Sequence, residues 1–158
     1  MNAFEKLKEL FTHFPGIGPR QAERFAYFLL SKDEYYLEEL KSLLTTLKKD
    51  VAQCKECMRY FAKRADVSIC PICADNTRDE TLLMIVAKDN DLLTIEKSDA
   101  FRGKYFVLGG IVPILEKDPQ KRIRLALLLS KIKKQDDQKA KLQEIILALS
   151  ATHEGEHT

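Results

Sequence analysis

Apolar residues in the first fifty positions recur at helical rather than alternating spacing. Phe4, Leu7, Leu10 and Phe11 fall at i, i+3, i+4 intervals over residues 3–12, which gathers them on one face of a short helix. Ala22, Phe25, Ala26 and Leu29 repeat the pattern as the buried stripe of a second helix over 19–30, with Pro19 at the first turn, where its missing N–H is not needed. Leu37, Leu40, Leu44, Leu47 and Val51 mark a third helix over about 33–51, capped by Asp33 or Ser31. Beyond residue 80 the period changes. The runs 82–86, 104–108 and 145–149 are short and nearly continuously apolar, as expected of strands covered on both faces. Helices are expected at 89–98 and about 121–133, with 125–129 in the core. Strand, helix, strand, helix, strand predicts a mainly parallel sheet. The chain ends nine residues after the third run, and no helix is expected there to cover one face of the sheet.

Between these halves lies a stretch of a different kind. Residues 54–73 hold only short apolar runs and two cysteine pairs, so a metal has to supply the order that burial cannot. The expected fold class is α+β and multi-modular, with a helical hairpin module at 1–52, a four-cysteine zinc motif at 53–78 and an α/β domain at 79–158. With 158 residues, 45% of them hydrophobic, the chain is long enough for such small modules joined by a metal-stapled connector. No run of eighteen uncharged apolar residues occurs, and the start lacks the basic-then-apolar layout of a secretory signal, so a cytoplasmic location is expected. The net charge of +2 is unevenly spread: residues 117–141 carry nine basic and three acidic side chains, whereas 65–116 are acidic by four. Local basic segments suit a protein that touches nucleic acid over part of its surface, and they also occur as ordinary solvated faces.

Two motifs carry candidate chemistry. The turn Phe14-Pro15-Gly16-Ile17-Gly18-Pro19-Arg20 leads straight into the second helix. Gly16 and Gly18 leave backbone amides bare at a helix N-terminus, where the dipole favours an anion, and Arg20 and Arg24 lie one turn apart. This points to DNA phosphates, contacted without sequence preference. The plain alternative is a tight turn that only packs. Cys54-x-x-Cys57 and Cys70-x-x-Cys73, twelve residues apart, match a tetrahedral four-thiolate zinc site, structural because no open coordination position is left. Iron–sulfur ligation and a redox pair are the alternatives. Lys55, Arg59, Lys63 and Arg64 surround the first pair, and line a DNA path, lower thiol pKa, or are simply solvated. His13, His153 and His157 are scattered, and no phosphate-binding loop of the ATPase type is present.

These motifs, in this order, resemble those of the bacterial recombination mediator family RecR, with its helix-hairpin-helix, four-cysteine zinc motif and Toprim domain. The resemblance covers nearly the whole chain. It extends to the 105–110 segment, similar to the second Toprim strand and turn, and to 152–158, similar to the later acidic loop. It implies a zinc-finger protein of DNA recombination and DNA-damage repair that binds DNA through Arg20 and Arg24. It further implies homo-oligomers that join their helical hairpins, and action with RecO and RecF homologues to help RecA displace single-strand-binding protein. Three departures stand out. Toprim enzymes end their first strand with a metal-binding glutamate, whereas this chain has Ala87 followed by Lys88. Asp89, Asp91, Glu154 and Glu156 remain as oxygen donors, but assembly of a Mg²⁺ cluster is not expected, so the protein is read as a non-enzyme. The 111–119 segment lacks the expected glycine-rich loop, and the chain ends within the Toprim-like domain, without the last strands and terminal segment used in ring assembly. The rival readings are a Mg²⁺-dependent Toprim nuclease or primase fragment, and a zinc-stabilised protein-interaction module that does not bind DNA.

Overall fold

The computed structural model describes residues 1–64, 67–136 and 141–158, in two compact units, Met1–Lys48 and Lys49–Thr158. In the first, Asn2 opens helix α1 (Ala3–Thr12) by accepting the Glu5 amide on its side-chain oxygen at 2.9 Å, which satisfies an otherwise orphan donor. Helix α2 (Pro19–Leu30) begins with the expected proline. Asp33 caps α3 (Glu34–Asp50) by accepting the Tyr36 amide at 2.9 Å, while the Ser31 hydroxyl donates to the Phe28 carbonyl at the end of α2. Ala22 and Ala26 are buried, and the rings of Phe11 and Phe25 meet edge to face beside them, 5.8 Å between centroids. The alanines permit close helix approach and the rings supply apolar area. The third helix forms as expected and stops one residue before Val51. Its leucine stripe is periodic but not buried, with Leu44 63% and Leu47 56% exposed, and Val51 leaves the helix to start a strand.

The second unit opens with an antiparallel pair, β1 (Val51–Gln53) and β2 (Tyr60–Ala62), and the short helix α4 (Pro71–Ala74). There follow β3 (Asp79–Val86), α5 (Asp89–Lys97), β4 (Gly103–Val107), α6 (Pro119–Arg122), α7 (Leu125–Asp136), β5 (Glu144–Ala148) and α8 (His153–His157). The sheet order is β4-β3-β5, and β3 is parallel to both neighbours, as predicted. Strand alternation sends Met84, Val86, Tyr105 and Val107 to one face, against Leu92 of α5 and the cysteine segment. Leu83, Ile85, Phe106 and Leu108 go to the other face, against Ile123 and Leu128. Both faces of β4 and of the second half of β3, from Leu83 on, are therefore dry. Each fully buried large apolar side chain here, such as Phe106, Leu83 or Leu92, contributes about 1.5–3 kcal/mol. The edge strand β5 is covered less well: Leu147 is 68% exposed.

Three local expectations change. The single helix expected at 121–133 is two, because Ile123 is extended and buried, and the Arg124 amide donates to the Leu108 carbonyl at 2.9 Å. Arg124 Nη1 also donates to the Val107 carbonyl, so the break stitches α7 to the end of β4. Within 125–129 only Leu128 is buried, and Leu127 and Leu129 are about half exposed, which is a one-stripe helix face rather than a core run. A short helix, α8, does follow the third strand, and the Thr158 hydroxyl beside it accepts the Val112 amide at 2.9 Å.

One buried charge organises this unit. The Arg78 guanidinium, 6% exposed in its side chain, pairs with Glu96 of α5, lies 3.5 Å from Asp75 and donates to the Gly103 carbonyl at 3.3 Å. It thereby joins the segment after α4 to α5 and to the start of β4. Glu96, 25% exposed, can rehydrate if its partner is lost, whereas Arg78 cannot. Replacing Glu96 by Gln is therefore expected to cost about 3 kcal/mol, and Arg78→Met distinctly less. Urea unfolding of the two variants checks this, and equal losses would contradict it.

Candidate metal centre and nucleic-acid interface

The four cysteines are gathered by two local turns. Cys54 follows β1, and its amide donates to the Arg59 carbonyl at 2.8 Å, while Met58 N–H returns to the Cys54 carbonyl at 3.0 Å. Closing so tight a knuckle puts Met58 in the left-handed region, φ 63°. Cys70 caps α4, Pro71 occupies its first turn, and Cys73 lies within it. The sulfurs all lie within 4.8 Å of one another, and those of Cys57 and Cys70 are 3.6 Å apart. Sulfurs at 2.3 Å from a central ion in tetrahedral array are about 3.8 Å apart, whereas a disulfide needs about 2 Å. All four cysteines are unpaired, and the Cys70 amide donates to Cys54 Sγ at 3.3 Å. The donor set thus fits one soft or borderline metal ion, with a backbone N–H already aimed at a ligand sulfur.

The thiols are electrostatically interlocked. Hydrogen bonds from Cys57, then Cys70 and Cys73, hold the Cys54 thiol far below its ordinary range, and the bond to Cys54 pushes Cys57 correspondingly up. Four sulfurs this close, three of them on buried residues, cannot all ionise beside one another without a cation to offset them. Strand β4 holds both knuckles. The Val107 amide donates to the Cys57 carbonyl at 2.8 Å, and the Lys104 ammonium, 9% exposed, donates to the carbonyls of Cys73 and Asp75 at 3.0 and 2.9 Å. The sequence reading did not find these ties. A lysine heading an otherwise apolar buried strand was the available signal, since such a charge needs partners. Cys54, Cys57 and Cys70 also belong to the same buried cluster as Met84, Val86 and Tyr105, so the cysteine segment shares its core with the sheet.

The glycine turn presents a different surface. Gly16 has φ +78°, a conformation that requires glycine, whereas Gly18 is the extended N-cap of α2 at φ −85°. A β-carbon at either would meet nothing within 4 Å, so the turn faces open space. The row of donors is broken, because Ile17 N–H is taken by the Phe14 carbonyl at 3.0 Å and Pro19 has none. Among the described residues the amides of Gly16 and Gly18 have no acceptor. Arg20 and Arg24 are exposed. Neither has a carboxylate partner among the described residues, and Arg24 reaches only Gln21 Oε1, at 3.5 Å. The nearby Glu23 lies instead 3.8 Å from Lys8.

The acidic residues do not converge. Asp89 accepts the Tyr60 amide at 2.7 Å and Asp91 the Lys88 amide at 2.9 Å, so both serve the backbone. Among the described residues, the four cysteines are the only cluster of three or more metal-ligating side chains. His13, His153 and His157 are all exposed, and part of the basic 117–141 segment, 137–140, lies outside the described residues. No helix among the described residues is long and apolar enough to cross a membrane.

A family model described as the RecR helix-hairpin-helix matches residues 4–48, and one for the Toprim domain matches residues 81–158. The chain is 35% identical to the recombination protein RecR of Bdellovibrio bacteriovorus, over 100% of this chain and 76% of that protein. It is 32% identical to the recombination protein RecR of Bifidobacterium adolescentis, over 99% and 74%. Identity to that of Prochlorococcus marinus subsp. pastoris is 33%, over 97% and 72%. Since thiolates are the ligands, metal retention is expected to fall with falling pH, as protons compete for sulfur. Cys57→Ser is expected to abolish bound metal and to remove hydrogen-exchange protection from the Val107 amide. Metal analysis and amide exchange check this, and full protection without metal would contradict a structural centre.

Proposed function

The chain belongs to the RecR family of recombination proteins, and from that premise we propose that it binds DNA without sequence preference in recombinational repair, through Arg20, Arg24 and the amides of Gly16 and Gly18. The observation that carries this reading is the pair of exposed guanidiniums, free of carboxylates, beside a glycine turn with open amides. Guanidinium forks suit phosphate oxygens, and the N-terminal end of α2 adds partial positive charge. Such contacts release counterions and read no base edges.

In this reading zinc occupies the thiolate cage, held by Cys54, Cys57, Cys70 and Cys73. Zinc supplies charge compensation and cross-linking there, not chemistry on a substrate. The chain divides by role into a DNA-contacting module at 1–52, a metal staple at 53–78 and a Toprim-like scaffold at 79–158. The protein is not an enzyme: Ala87 stands where a cation-binding carboxylate is needed, and Asp89 and Asp91 already serve backbone amides. It works in the cytoplasm as a homo-oligomer, with RecO and RecF homologues, to help load RecA. The exposed leucines of α3 support association between copies, because an uncovered apolar stripe is unfavourable in water. Copies joined in this way add their weak phosphate contacts, and avidity exceeds the affinity of any one hairpin.

Replacing Arg20 and Arg24 together by Gln is expected to weaken binding to every DNA sequence alike. The slope of log affinity against log salt should become shallower by about 2 for the pair. Titrations of labelled DNA at several salt concentrations measure both quantities. An unchanged slope would overturn the assignment.

A further inference from the structure

The basic face of α2 does not end at Arg24. Phe28 stands one turn beyond it and Lys32 four residues past Phe28, just after the helix, so two guanidiniums, a ring and an ammonium follow one another at steps of four residues. Tyr36, on the first turn of α3, closes the series: its ring meets that of Phe28 edge to face, 6.1 Å between centroids. Both rings are open to solvent, Phe28 47% and Tyr36 37% exposed. The Lys32 ammonium lies 4.4 Å from the Phe28 centroid and 5.6 Å from that of Tyr36, within the reach of cation–π attraction. The ion pairs of the Met1–Lys48 unit join Lys8 to Glu5 and Glu23, and Lys41 to Glu38. Lys32 therefore has, like Arg20 and Arg24, no carboxylate partner among the described residues. Asp33, beside it in sequence, is committed to the Tyr36 amide.

Two exposed rings among three unpaired cations do not suit an apolar partner, because the cations would lose water without gaining a counter-charge. A second copy seated on the same patch would bring like charges together across the two-fold axis. A single strand of DNA answers both halves of the surface, with phosphates for the cations and unpaired base faces for the rings. We propose that this face of α2 is a single-strand site, with phosphates on Arg20 and Arg24 and a base stacked on Phe28 and Tyr36. The base takes the place over the rings that the Lys32 ammonium holds, and Lys32, on its flexible stem at the surface, turns to the adjoining phosphate. Duplex bases are already paired and stacked, so they offer no face without the cost of unstacking. This rests on the DNA reading of the hairpin and adds a preference to it; stacking tolerates every base, so the lack of sequence preference is kept.

The test titrates the full metal-loaded chain, at one salt concentration, with three labelled probes of equal length: an oligothymidylate, the same sugar–phosphate strand without bases, and the oligothymidylate paired as a duplex. The abasic strand keeps the phosphates and removes only what the rings would hold. The oligothymidylate is expected to bind about tenfold or more tightly than the abasic strand, and more tightly than the duplex. Phe28→Leu with Tyr36→Leu should bring the ratio of oligothymidylate to abasic affinity close to one, with the solution mass unchanged. The proposal is overturned if the abasic strand or the duplex binds as tightly as the oligothymidylate, or if the ring variant keeps the preference. A changed solution mass in that variant would give the rings to contact between copies and overturn it too. Equal binding of all three probes that still weakens with Arg20→Gln and Arg24→Gln sinks the stacking alone. If those arginine replacements change nothing, the DNA reading itself fails, so the two are separable.

Discussion

Strand β4 lies at the edge of the parallel sheet, and the way its open side is closed determines how the rest of the Lys49–Thr158 unit is built. An edge strand exposes unpaired N–H and C=O groups. Here the Val107 amide is taken by the Cys57 carbonyl, and Lys104, three residues earlier, reaches the carbonyls of Cys73 and Asp75. The same strand thus clamps one residue of each cysteine pair, and the metal ligands inherit the rigidity of the sheet. The dependence runs in both directions. The cysteine side chains complete the apolar layer under Tyr105 and Val107, so a centre without its ion would leave ionisable sulfurs in a dry core, where they are least tolerated.

The arginines illustrate how placement decides the role of one side chain. Arg78 is buried and surrounded by Glu96, Asp75 and the Gly103 carbonyl, so its charge is consumed inside the fold. Arg20 and Arg24 stand on an exposed helix face with no carboxylate among the described residues. A charge already paired gains little from a phosphate, because its desolvation and its hydrogen bonds are already committed. An unpaired exposed guanidinium gains the full contact, which is why the proposed DNA surface falls on α2.

What was legible in the chain follows the same physical division. Helices α1 and α2 were readable from a strong helical period, reinforced in α2 by Pro19, and strands β3 and β4 from short continuous apolar runs. The cysteine set was readable because ligand spacing is fixed by metal geometry. Burial of the α3 stripe was not, because periodicity records which face is apolar and says nothing of what covers it. The break at Ile123 escaped because it arises from long-range bonds of Arg124 to β4, which no local pattern encodes. The ties of Lys104 and Arg78 were missed for the same reason: their partners are twenty or more residues away or belong to another element.

A crevice of about 370 Å³ opens at the carboxyl ends of β3 and β5, where the strand order reverses and parallel sheets ordinarily bind their ligands. Its lining includes Ala87, Lys88 and Ser150, and its one carboxylate is that of Asp91, already bonded to the Lys88 amide. A hard divalent cation needs several oxygens and loses water reluctantly, and a single occupied carboxylate beside an ammonium group offers neither charge nor coordination enough. The lining of the crevice thus differs in kind from the cysteine centre: one side offers a single carboxylate already committed to a backbone amide, the other four sulfur donors held against β4.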